Sequence, residues 1–339
     1  MTAFPRYQAP LRAGSRIAVT APSSGVLPPL HPRLDLNLAH LRAQGFIVEE
    51  GDCLRDEHLS ASASADARAT EFFPPWGGEL AIELLDRLDW TALQHVRPKW
   101  LIGYSDTSTL MLALTLRLAW ASAHGPCLMD LAPGQNDALT HGALGVLATP
   151  PGGVVTQQQS PRWQSKWTDF AVVPDTIYSL TEITQWRCLN RPVDAPPIHF
   201  EGRLIGGCID ALMHLAGSVF GNLPKFVQGC GAEGAILYLE NAEMSPTELV
   251  RALHRFRWAG WFDGLAGLLI GRSAAADTSG VHELRYETAL QRELGGLSFP
   301  VLVDVDIGHR PPQLMLVNGA LADVDWSAAD GGRVTQTLA

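Results

Sequence analysis

Residues 16–52 read RIAVTAPSSGVLPPLHPRLDLNLAHLRAQGFIVEEGD. The opening RIAVT is a short β-branched run typical of a strand. Leu34, Leu38 and Leu41 recur at helical spacing, Gly45 ends that helix, and FIVEEGD begins a second strand. A strand, a helix and a strand in this order predict a parallel α/β unit.

The α/β alternation continues through the first half of the chain. Residues 77–93 (GGELAIELLDRLDWTAL) predict a helix, 99–106 (KWLIGYSD) a strand that runs into a turn, and 107–120 (TSTLMLALTLRLAW) a buried apolar helix. We therefore assign residues 1–150 to one N-terminal α/β domain. Residues 151–200 mix Pro, Gly, Gln and Trp without any period, which predicts a connecting segment on the surface.

Residues 201–339 form the second predicted domain, as expected for a chain of 339 residues. Three apolar runs predict strands: AILYLE, GLAGLLIG and PVLVDVDI. A helix is predicted to begin at SPTE, with Ser245 as its N-cap and Glu248 three residues later.

Composition excludes several classes of protein. Hydrophobic residues make up 46% and charged residues 18%, which favours a folded chain over a disordered one. The formal net charge of −10 argues against a nucleic-acid partner and against a polybasic membrane protein. We expect no signal peptide and no membrane span. The five scattered cysteines are expected to be reduced thiols of a cytoplasmic protein.

Ser105 is the first candidate for chemistry. It lies between a predicted strand and a predicted helix, where a sharp turn exposes a serine oxygen beside backbone N–H groups that can stabilise an oxyanion. This pattern favours a nucleophile, although the fifth residue of GYSDT is Thr107 where hydrolase elbows have Gly. The alternative is that Ser105 or Asp106 only caps the helix.

Glu240 and His309 are the other two candidates. Glu240 ends the apolar strand AILYLE, at the edge where open α/β sheets place ligands, and it could orient an imidazole. Its alternatives are a solvated glutamate and the neighbouring Glu243. His309 follows PVLVDVDIG on a turn preceded by glycine and has the pKa range of a general base. The order Ser, Glu, His is that of α/β-hydrolases.

A metal site is the competing interpretation at His309. Asp304 and Asp306 are predicted to share one face of the preceding strand and could bind a cation, but the sequence shows no third ligand. We therefore expect no metal and no cofactor.

Five strings resemble, in order, the LD-carboxypeptidase family of serine peptidases, which includes the microcin C immunity proteins. They are GSRIAVTAPSSGV, LIGYSDTSTL followed by HGP, EGRLIGG, ILYLENAE, and DIGH with PQL and NG. They extend from about residue 14 to residue 325. The resemblance implies Ser105 as nucleophile, Glu240 as the residue that orients the histidine, and His309 as base.

The same resemblance implies the remaining parts of the site and the architecture. The oxyanion hole would use the N–H of Asp106 and a glycine of the PPWGGE loop, Gly77 or Gly78. The expected fold is a flavodoxin-like N-terminal domain with a parallel sheet and a swivelling, β-rich α/β C-terminal domain. A homodimer without a metal is implied as well.

Two substrate classes fit this resemblance. One is a muropeptide tetrapeptide that loses its terminal D-residue, and the other is an aminoacyl-nucleotide amide. The second would need an aromatic platform for the base, and Trp186 in the connecting segment is our candidate, with a buried core tryptophan as the alternative. A third hypothesis is an inactive binding protein, because the chain between ARATEF and PPWGGE is shorter than the family pattern.

Overall fold

The computed structural model describes residues 5–68, 75–192 and 196–339. Within these residues the strands are β1 (Arg16–Val19), β2 (Ile47–Glu50), β3 (Ile102–Gly103), β4 (Ser122–His124), β5 (Val154–Gln158), β6 (Arg162–Trp163), β7 (Glu182–Ile183), β8 (Arg187–Cys188), β9 (Ile198–Cys208), β10 (Ala235–Glu240), β11 (Gly267–Gly271), β12 (Val301–Val305), β13 (Leu316–Asn318), β14 (Leu321–Ser327) and β15 (Gly331–Thr337). The α-helices are α1 (His31–Ala43), α2 (Ala65–Arg68), α3 (Trp90–His95), α4 (Ser108–Leu118), α5 (Ala138–Leu147), α6 (Ile209–Leu212), α7 (Leu223–Cys230), α8 (Pro246–Trp258) and α9 (Tyr286–Leu294).

The predicted unit at residues 16–52 is present. Strand β1 pairs in parallel with β2, and α1 connects them. The three leucines at helical spacing in α1, Leu34, Leu38 and Leu41, are at most 2% exposed, since they pack against β1 in one apolar cluster. Gly45 follows the helix with φ of +87°, a conformation that glycine adopts without strain.

The helix predicted over residues 77–93 is wrong in its extent. The chain instead forms a 3-10 helix at Ala81–Asp86 and then the separate short helix α3. Asp89 causes the interruption, because its side chain accepts a hydrogen bond from the backbone N–H of Ala92 and begins a new helix.

The second half is organised around an eight-stranded mixed sheet in the order β5-β15-β14-β9-β10-β11-β12-β8. Its centre, β9 to β12, is parallel, and every residue of β10 is buried. Burial on both faces explains why AILYLE reads as a continuous apolar run. The predicted capping box of α8 is present, with Ser245 and Glu248 bonded to each other. The predicted α/β fold class is thus confirmed.

Two sets of strands join the halves of the chain. Strand β13 from the C-terminal half pairs with β4, which itself pairs with β3. The segment 151–200 contributes β5 and β8, the two outermost strands of the large sheet. These pairings fix the turn after β3 relative to the turns after β10 and β12. No helix among the described residues is long and apolar enough to cross a membrane.

Candidate active site

Ser105 lies on a strained turn between β3 and α4. Its φ is +61°, in the left-handed region that costs a non-glycine residue about 1–2 kcal/mol. One 3-10 turn, Ser105–Thr107, then leads directly into α4. Ser105 is partly exposed, whereas Tyr104 and Asp106 on either side are buried. The turn therefore presents the serine side chain at the end of the strand, as the elbow geometry of a nucleophile requires.

Glu240 and His309 form a hydrogen-bonded pair. Glu240 is the last residue of β10 and is fully buried, and its Oε2 lies 2.9 Å from Nδ1 of His309. Burial alone would raise the pKa of Glu240, but the charge and hydrogen bond of His309 outweigh it and hold that pKa below its usual value. Burial opposes charge on His309 too, yet Glu240 raises the His309 pKa above its usual value.

Gly308 permits the close approach of this pair. Its φ is +90°, and a Cβ atom there would lie 2.3 Å from Oε2 of Glu240. Any side chain at position 308 would therefore displace the carboxylate that His309 contacts.

The PPWGGE loop lies against the nucleophile. A Cβ atom on Gly77 would lie 2.6 Å from Cβ of Ser105 and 3.1 Å from the backbone N of Asp106. The Asp106 carboxylate accepts hydrogen bonds from Ser23 Oγ at 2.6 Å and from the backbone N of Ala81 at 2.8 Å, so it ties this loop to the turn. The structure thus brings Gly77, Ser105 and Asp106 together.

Gly78 has φ of +147° and lies against Ser23 and Ser24. The shortened segment before this loop falls mainly on residues 69–74, which lie outside the described residues.

A cavity of about 650 Å³ connects these groups. Ser105 and His309 both line it, together with Ser24, Ser60, Gly78, Glu79, Ile82, Asp106, Thr109, Cys208, Asp210, Ala211, His214, Ala242 and Glu243. Four of these lining residues are acidic, and none of those described is Lys or Arg. The cavity therefore favours a ligand that carries a positive charge.

Two ring residues beside the pair were not singled out by the sequence reasoning. The Tyr104 ring meets His309 edge-on, with centroids 4.8 Å apart. His124 at the end of β4 is fully buried between Tyr104 and Tyr238, and neither of its nitrogens has a hydrogen-bond partner among the described residues. Burial lowers the pKa of His124 to about 4, so it stays neutral. In the sequence, the only pattern that marked His124 was the string HGP, of which it is the first residue.

Trp186 is not the nucleobase platform that we predicted. Its ring is 2% exposed and packs under β15, where a Cβ on Gly332 would lie 1.9 Å from it. Its Nε1 donates to Asp306 at 2.9 Å, which anchors the ring in the core. The alternative of a buried core tryptophan is therefore correct. Its position in a segment without periodicity gave no signal to separate the two interpretations.

Asp304 and Asp306 do not form the alternative metal site. Asp304 accepts a hydrogen bond from Arg187 at 2.8 Å. Asp306 is buried and bound by Arg272 at 2.7 Å as well as by Trp186. Each carboxylate is thus paired with an arginine, and Asp304 shares Arg187 with Glu287. Among the described residues, the groups with metal-ligand spacing are Cys208, Glu240 and His309, and the exposed set His199, Glu201 and Asp323.

Comparison with known families identifies the chain. The LD-carboxypeptidase N-terminal domain matches residues 17–125, and the LD-carboxypeptidase C-terminal domain matches residues 201–324. The chain belongs to the LD-carboxypeptidase family. The predicted resemblance is confirmed.

Relatives within this family have different names. The microcin C7 self-immunity protein MccF of Escherichia coli is 24% identical over 341 residues, covering 95% of this chain and 94% of that protein. A Bacillus subtilis protein named "Probable murein peptide carboxypeptidase" is 23% identical over 326 residues, covering 92% and 89%. The structure of MccF in complex with aspartyl sulfamoyl adenosine superposes with a TM-score of 0.80 at 22% identity, covering 98% of each chain. This structural likeness establishes the two-domain fold.

Proposed function

We propose that this chain is a metal-free serine peptidase, an LD-carboxypeptidase that removes the terminal D-residue of a muropeptide. The observation that carries the proposal is the 2.9 Å contact between Glu240 and His309 at the cavity where Ser105 lies on its strained turn. An acid hydrogen-bonded to an imidazole, with a serine hydroxyl on the same cavity, supplies the parts of a triad. Membership of the family supports the same assignment.

In the proposed reaction each of the three residues performs one step. Ser105 attacks the scissile carbonyl, and His309 accepts its proton and returns it to the leaving amine. Glu240 holds Nδ1 of His309 and stabilises the imidazolium. In this proposal the backbone N–H groups of Asp106 and Gly77 stabilise the oxyanion, and the close approach of Gly77 to Ser105 supports that role. Water then releases the acyl-enzyme through the same histidine.

The acidic side chains that line the cavity indicate the charge of the substrate. Glu79, Asp210 and Glu243 line the cavity, and no arginine or lysine among the described lining residues meets a terminal carboxylate. A peptide with a free amino group near the scissile bond fits this charge. We expect substrate selection by that amino group.

An aminoacyl-nucleotide hydrolase of the microcin-immunity kind is the alternative. The MccF relative and the complex with aspartyl sulfamoyl adenosine favour it, and such substrates also carry an amino group beside the scissile carbonyl. The lining opposes it, because the described residues around the cavity include no Trp, Tyr or Phe to stack on a base. The third hypothesis, an inactive binding protein, is opposed by the position of Gly77 beside Ser105.

Mass spectrometry of product release tests the proposal. The purified chain is incubated with a tetrapeptide ending in D-Ala and, separately, with an aspartyl sulfamoyl adenosine, alongside a Ser105→Ala control. Release of D-Ala from the peptide supports the proposal, and cleavage of the adenosine compound alone supports the alternative. Binding of either compound without turnover would establish the inactive protein.

We also propose that the chain works as a homodimer in the cytoplasm, as the family resemblance implies. Light scattering after size exclusion should give twice the 36.7 kDa of one chain. A mass of one chain across the working concentration range would contradict the dimer.

A further inference from the structure

Cys208 lies beside the two residues that bear the proposed proton relay. It is the last residue of β9 and pairs in register with Glu240, the last residue of β10. One ligand atom from each of Cys208, Glu240 and His309 lies within 4.8 Å of the other two. Cys208 and His309 also line the cavity, so an ion from solvent reaches them by that route.

Glu240 retains an unused acceptor in this cluster. Its Oε2 binds His309, whereas Oε1 is buried and has no hydrogen-bond partner among the described residues. A buried carboxylate oxygen without a partner is costly unless a cation or a donor meets it. The Cys208 thiol is the neighbouring donor, and a cation that replaced the thiol proton would meet this carboxylate.

The three donor types are those that zinc prefers. Zinc binds thiolate sulfur at about 2.3 Å and imidazole nitrogen at about 2.0 Å, so ligand atoms on one tetrahedral ion lie roughly 3.3–3.8 Å apart. Closing separations of up to 4.8 Å to these values requires side-chain movements on the order of 1 Å. Three protein ligands leave the fourth position for water in the cavity.

We propose that Cys208, Glu240 and His309 form an inhibitory binding site for Zn²⁺ or a similar thiophilic divalent cation. On binding, the Cys208 thiol releases its proton to solvent and its sulfur bonds to the ion. The imidazole binds through an unprotonated ring nitrogen, so an imidazolium first releases one proton to solvent, and the carboxylate oxygen donates a lone pair; no redox change occurs. Inhibition by the ion rests on the proposed function, because the ion would occupy His309, the proposed base, and its partner Glu240. Binding of the ion does not rest on the proposed function.

The site discriminates between cations by its donors. Mg²⁺ and Ca²⁺ take oxygen ligands, and this cluster supplies only one carboxylate among its three side chains.

Cobalt absorption tests the binding directly. Co²⁺ is titrated into the purified full-length chain, into Cys208→Ser, and into Cys188→Ser as a matched control at a more exposed thiol. The wild type and Cys188→Ser should each gain a thiolate-to-cobalt charge-transfer band, and Zn²⁺ should remove it. Cys208→Ser, with an unchanged melting temperature, should lack the band. An equal band in Cys208→Ser, or none in the wild type, overturns the proposal.

Inhibition is measured next, with each variant compared with its own zinc-free rate. Zn²⁺ should inhibit the wild type, EDTA should restore it, and Mg²⁺ should have no effect. Loss of the Cys208 ligand should raise the inhibiting concentration at least about 10-fold, since even outer partners of a metal contribute about 10–100-fold. A wild type that binds Co²⁺ through Cys208 but hydrolyses nothing contradicts the proposed function and leaves the metal site standing. An active enzyme whose zinc sensitivity does not change in Cys208→Ser overturns the inhibitory site alone.

Discussion

The backbone conformation of Ser105 is set within a few consecutive residues, 102–107, whereas Glu240 and His309 meet across 69 positions of the chain. The serine turn stores backbone strain in φ of +61°. Glu240 and His309 have no left-handed φ and therefore no such backbone strain. Their contact depends instead on glycine at position 308 and on the order of strands in the large sheet. A local turn fixes the nucleophile, and long-range topology fixes the group that activates it.

Removing the proposed nucleophile should cause the largest loss of activity. Ser105→Ala should lower kcat/KM by at least about 10³-fold on the substrate that the wild type hydrolyses, because Thr107, the other hydroxyl of the turn, is buried and does not line the cavity. The melting temperature should stay within a few degrees, since alanine occupies the same φ. A variant that keeps the wild-type rate would disprove the assignment of Ser105.

Breaking the long-range pair has the next largest effect. Glu240→Gln should lower kcat by about 10³–10⁴-fold, since the imidazolium loses its counter-charge. Wild-type activity should rise with pH through a midpoint above the usual histidine value, because only neutral His309 accepts the serine proton and Glu240 raises its pKa. In Glu240→Gln this limb should move to lower pH. An unmoved limb would show that another group controls it.

Crowding the pair gives a smaller loss. Gly308→Ala places a Cβ 2.3 Å from Oε2 of Glu240 and should lower kcat by roughly 100-fold, the cost of a displacement of about 1 Å. Gly152→Ala is the matched control, because its φ of +81° is also left-handed and a Cβ there meets nothing within 4 Å. Equal kinetics in the two variants would mean that the Glu240–His309 contact does not limit the reaction.

The smallest expected effect is on stability, and it comes from the backbone strain at Ser105. Ser105→Gly should be inactive like Ser105→Ala, yet more stable than it by about 1 kcal/mol, because glycine adopts the left-handed conformation without penalty. Urea denaturation of the two variants measures the difference. Equal stability would indicate that the turn is not strained in solution.

The contrast between the two regions also explains what the sequence could predict. The first α/β unit, the burial of AILYLE and the turn at Ser105 depend on local patterns, and the structure has them as expected. Cys208 was not recognised because its place beside Glu240 follows from the pairing of β9 with β10, which no local pattern encodes. Trp186 was misjudged since an irregular segment gives no periodicity to show that its ring enters the core.

Labelling with a fluorophosphonate tests the central claim most directly, because only an activated serine attacks this reagent rapidly. The triad predicts one adduct per chain, mapped to Ser105 by peptide mass spectrometry. The adduct should be absent in Ser105→Ala and formed far more slowly in Glu240→Gln and in His309→Asn. An adduct on another residue, no adduct, or labelling of Ser105 at an equal rate without His309 would contradict the account.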